Sequence, residues 1–88
     1  MDYYYTIVRR GRYALVRDKH TVLQIVKIFE RREGETYYAI GEFFGRIFSS
    51  VDDRLLKCMD SETDLEDVRF LADIGDRIAR CEERNLRG

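Results

Sequence analysis

The feature that most constrains this chain is a change of hydrophobic period near Glu42. Before it the sequence is rich in tyrosine and β-branched residues. After it, apolar residues recur at helical spacing. Charge changes at almost the same place. Residues 1–48 hold nine Arg/Lys and six Asp/Glu, a net of +3, and residues 49–88 hold seven and eleven, a net of −4, which together give the chain's −1. A basic sheet followed by acidic helices is the architecture this predicts.

Eighty-eight residues are enough for one core and too few for two. Eleven aromatics and many Val, Ile and Leu argue against disorder, and the absence of proline argues against an internal linker. Met1–Tyr5 is acidic and aromatic, unlike a secretory leader, and no run of about 20 apolar residues exists to span a bilayer. Cys58 and Cys81 would sit at different heights of a helical hairpin, too far apart for a disulfide. Two reduced thiols and a cytoplasmic location, without membrane association, are therefore expected.

Tyr3–Val8 and Arg12–Arg17 flank Arg9-Arg10-Gly11 and read as a β-hairpin. Thr21–Glu30 alternates on both faces, with Leu23, Ile25 and Phe29 on one side and Val22, Val26 and Ile28 on the other. Thr21 with Gln24 imitates a capping box, but the β-branched residues Val22, Ile25, Val26 and Ile28 favour a central strand over a helix. Gly34 marks a turn into a fourth strand, Thr36–Ile40.

Beyond Glu42, Phe44, Ile47, Phe48, Val51, Leu55, Cys58 and Met59 form one helical stripe. Gly45 and Ser49–Ser50 weaken its start, which falls at Glu42 or at Ser50. In the last helix Thr63 and Glu66 form a T-x-x-E capping box, and the helix is expected from about Asp64 to Arg84. The fold predicted is α+β: a four-stranded antiparallel meander over residues 3–41 and an α-helical hairpin over residues 42–85 on one face. Its core is expected to use Ile7, Leu15, Ile25, Phe29, Ile40, Phe44, Phe48, Leu55, Leu65, Val68, Leu71 and Ile78.

Catalytic chemistry finds little to work with. His20 is the lone histidine and lies in a polar turn, with no Cys or Ser linked to it by motif. Two cysteines and one distant histidine are too few for a structural zinc site, and the carboxylates around Asp64 lack the order of a calcium loop. No Gly-rich phosphate cradle is present. A non-enzymatic domain without cofactor or metal is expected.

Three surfaces remain. Asp60, Glu62, Asp64, Glu66, Asp67, Asp73 and Asp76 offer an acidic helix face to a basic protein partner, although Asp73 with Arg77 and Asp76 with Arg80 also suit i,i+4 pairing. Phe70, Ile74 and Cys81 widen the apolar arc of the last helix beyond what one sheet covers, which fits a partner or a homodimer. Arg9, Arg10, Arg12, Arg31 and Arg32 gather at one end of the meander near Tyr13, Tyr37 and Tyr38, an arrangement suited to nucleic acid.

In size and general make-up the chain resembles the short inhibitors that phages and mobile elements encode against host machinery, anti-CRISPR proteins among them. These share no common sequence or fold, so the resemblance implies a mode of action, surface occlusion, and carries over no residue. The leading expectation is thus a small protein-binding module. A nucleic-acid-binding regulator and a homodimeric structural protein are the alternatives.

Overall fold

Gly11 has a positive φ of 60° while Arg12 stays out of that region, the geometry of a two-residue II′ hairpin turn. Through it β1 (Tyr5–Arg10) returns as β2 (Tyr13–Arg17). The turn therefore lies at Gly11–Arg12, slightly later than the expected Arg9–Gly11. The computed structural model describes residues 5–30, 37–38, 44–46, 53–57 and 59–87.

Strand β3 (Leu23–Lys27) pairs antiparallel with β2, Leu15 opposite Ile25, and completes a three-stranded meander. Both faces of its centre are buried, as the two-sided alternation predicts. Tyr13, Leu15, Leu23 and Ile25 form the cluster under the long helix, and Ala14, Val16 and Val26 form a second with Ile28 packed against it. Among these, Tyr13, Leu23, Ala14, Val16 and Val26 were not in the expected core.

The Thr21–Glu30 strand breaks at Ile28. Its end, β4 (Phe29–Glu30), pairs with β5 (Tyr37–Tyr38) in a separate two-stranded ribbon. Of the expected Thr36–Ile40 strand, Tyr37–Tyr38 pair with β4 and not with the meander, and the rest lies outside the described residues. That edge carries a three-residue piece, β6 (Phe44–Arg46), where Gly45 lies opposite Ile25. Phe44 and Gly45 are extended rather than helical. Gly45 is a poor helix residue, and pairing with β3 gives its backbone partners the helix would otherwise supply.

The register of β1 slips between Thr6 and Val8, leaving Ile7 as the inserted residue of a β-bulge. One extra residue exchanges the faces of all that follow. Val8 consequently packs on the core cluster while Ile7, expected inside, is 41% exposed.

In place of a helical hairpin, the described residues show one short helix, α1 (Asp53–Lys57), and one long helix, α2 (Glu62–Arg87). Ser61 caps α2: its Oγ accepts the Asp64 N–H at 3.3 Å, and the Asp64 carboxylate accepts the N–H of Asp60 at 3.3 Å. The cap is thus S-x-x-D, two residues before the T-x-x-E read from sequence. Helix α2 begins beside the β1–β2 turn and runs across the sheet in the direction of β2. Val68 and Leu71 are fully buried and Leu55 nearly so, with Ile78 and Ala79 packed against the same cluster. Leu65 and Phe29 are only half-buried. The side chains of Phe44, Ile40 and Phe48 lie outside the described residues.

Burying a Val or Leu side chain contributes about 1.5–3 kcal/mol, against about 0–1 kcal/mol for an exposed ion pair. The apolar layer therefore holds the helix on the sheet, and charges fix its orientation. At the turn end Arg10 Nε lies 3.2 Å from Asp67, and Arg12 pairs with the buried Asp64. At the far end Arg17 pairs with Glu82. Among the described residues no helix is long and apolar enough to cross a membrane.

Candidate functional site

The antiparallel order brings the end of β1, the start of β2 and the end of β3 to one edge of the molecule. Tyr13 stands opposite both Arg10 and Lys27, and the Ile28 N–H donates to the Arg12 carbonyl at 2.6 Å. A groove of about 310 Å³ opens there, lined by Arg9, Arg12, Lys27, Ile28 and Phe29. Among the described residues its lining is three cationic side chains with an aliphatic and an aromatic one. Such a lining can hold an anion and stack a planar group beside it.

Among the described residues, Asp60 and Asp64 touch this cationic set. Asp60 Oδ2 sits 3.4 Å from Arg12 Nη1 and 3.5 Å from Lys27 Nζ, so one oxygen is shared by both cations. Asp64 takes the other arm of Arg12. The hydrogen bond to Asp64 and its negative charge raise the Arg12 pKa further above its ordinary value, so this guanidinium is a permanent cation. Lys27 Nζ also lies 5.8 Å from the centre of the Phe29 ring. Arg9 Nε donates to the Gly11 carbonyl at 3.3 Å.

Of the residues expected at an arginine-rich end, Arg9 and Arg12 line the groove. Arg10 does not. Its guanidinium lies 4.1 Å above the Phe70 ring and pairs with Asp67, so it is turned onto the helix. Tyr13 is fully buried in the core cluster and offers no ring face to a ligand, which corrects its place in the expected set. Its position opposite Lys27 and Arg10 points it under α2. Arg31, Arg32 and the Tyr37 side chain lie outside the described residues.

The acidic row divides. Asp60, Asp64 and Asp67 meet the arginines and lysine of the sheet, whereas Asp73 pairs with Arg77 at 3.2 Å and Asp76 with Arg80 at 3.0 Å along the helix. Glu62 and Glu66 are exposed. In the apolar set Phe70 is 40% exposed beneath Arg10, and Ile74 packs on the chain's own core. Cys81 is exposed and free.

Lys27, Ile28 and Phe29 were missed as site residues. The register between β2 and β3 places Lys27 opposite Tyr13, and only pairing, not local pattern, carries that signal. Among the described residues no group of three or more His, Cys, Asp or Glu converges as a metal site. Neither a family model, nor a curated protein, nor a solved structure matches the chain.

Proposed function

We propose that this chain is a non-catalytic module that binds single-stranded nucleic acid at the hairpin end of its sheet. The observation that carries this reading is the groove of Arg9, Arg12 and Lys27 around Ile28 and Phe29. Three cations supply phosphate contact, and Phe29 supplies an apolar face for a base that is not locked in a duplex. A volume of about 310 Å³ is small and suits one nucleotide better than a folded element.

The test is binding of a fluorescent oligonucleotide at several salt concentrations. Affinity is expected to fall with salt, with a log–log slope of about −2 for three phosphate contacts to a single strand. Arg9→Ala together with Lys27→Ala should remove most of that slope. No binding at low salt ends the reading.

A second reading is a protein-binding module that occludes its partner. Glu62, Glu66 and the partly exposed Phe70 on the outer side of α2 favour it. Capture of a defined basic partner should then be lost on Glu62→Arg with Glu66→Arg at unchanged melting temperature. Unchanged capture counts against it.

A further inference from the structure

We infer that a phosphate subsite lies beside the groove, between Arg12 and Lys27, and that Asp60 occupies it as an internal competitor in the free protein. The inference rests on the proposed nucleic-acid reading and adds to it where the phosphate sits and what it displaces. One oxygen of Asp60, Oδ2, lies 3.4 Å from Arg12 Nη1 and 3.5 Å from Lys27 Nζ. Two donors, one from the β1–β2 turn and one from β3, converging on one anionic oxygen reproduce the contact a phosphate oxygen would make.

Asp60 is well suited to give way. Its side chain is 67% exposed, and it stands just ahead of the helix cap, held by its own N–H to Asp64 at 3.3 Å. The carboxylate can swing out while that backbone bond stays. Asp64 behaves differently. Its side chain is only 6% exposed and keeps Arg12 in place from beneath, so Arg12 remains aimed at the subsite when Asp60 leaves. A backbone phosphodiester carries the same single negative charge and two acceptor oxygens as a carboxylate, and an exposed ion pair is weak, so replacing Asp60 costs little.

The experiment compares the full chain with Asp60→Asn and with Asp73→Asn, which makes the same charge change on the outer helix. Two probes are used: a labelled oligothymidylate, followed by anisotropy, and inorganic phosphate, followed by NMR shifts of Arg12 and Lys27. Asp60→Asn is expected to tighten oligonucleotide binding roughly two- to five-fold at low salt, the size of an exposed ion pair. Asp73→Asn should change it less than half as much. Phosphate should move the Arg12 and Lys27 signals at lower concentration in Asp60→Asn than in the parent chain. Equal effects of the two variants, or weaker binding in Asp60→Asn at an unchanged melting temperature, overturn the subsite. Phosphate binding that responds to Asp60 without any oligonucleotide binding would keep the subsite and remove the nucleic-acid reading. Oligonucleotide binding indifferent to Asp60 would do the reverse.

Discussion

Thr21 is held at φ 61°, where a β-branched side chain crowds its own backbone. The loop enforces it. The Thr21 N–H donates to the Asp18 carbonyl at 2.9 Å, and its carbonyl accepts from Arg17 Nη1 at 3.0 Å. Thr21→Gly keeps both bonds and relieves the strain, so a gain of about 0.5–1 kcal/mol is expected in chemical denaturation, net of the glycine entropy. Gly11 is the reverse case. A Cβ there would overlap the Asp67 carboxylate, on a backbone at φ +60°. Gly11→Ala should therefore destabilise by about 2 kcal/mol or more in the same assay. Asp18 sets an acid limit. Desolvation pushes its carboxyl up, but N–H donors from Val22 and His20, with His20 charge and Gln24, hold it below the ordinary 3.8. A depressed carboxyl stabilises the fold above its unfolded value and loses that contribution as pH falls through the lower folded value. Asp18→Asn should thus flatten the loss of melting temperature below about pH 4, and an unchanged acid limb would count against this role.

At the scale of elements, two caps compete for the start of α2. Ser61-x-x-Asp64 and Thr63-x-x-Glu66 both carry the right residue types. The first wins because Asp64, placed third in the helix, also receives Arg12 from the sheet. Local pattern could name the candidates, and only tertiary contact could choose. Ser61→Ala is expected to cost about 1 kcal/mol by thermal melting, and Thr63→Ala to cost less than half of that. The same limit explains the segment after Glu42. Phe44 falls at helical spacing with Leu55 and Met59, yet Phe44–Arg46 pairs with β3. A spacing fits two periods when the run is short, and the partner strand decides. Strand β3 and the core face of α2 were legible because their patterns are long and their burial is continuous.

For the whole molecule, the basic first half and acidic second half read from sequence meet each other. Arg10, Arg12, Arg17 and Lys27 contact Asp67, Asp64, Glu82 and Asp60 across the helix–sheet boundary. Charge segregation was visible in the sequence, and its use in seating the helix was not, because that depends on which sheet face α2 covers. Packing should still dominate: Leu71→Ala is expected to cost about 2–5 kcal/mol in urea unfolding, Glu82→Gln less than about 1 kcal/mol. Comparable losses would reverse that ranking. The inserted Ile7 has an effect at this scale as well. Strand β1 ends the sheet order, the rim where a foreign strand could add itself. An extra residue near its start kinks that rim and interrupts the even row of amides a growing fibril needs as a template. The insertion that turned one isoleucine outward thereby makes the sheet harder to extend.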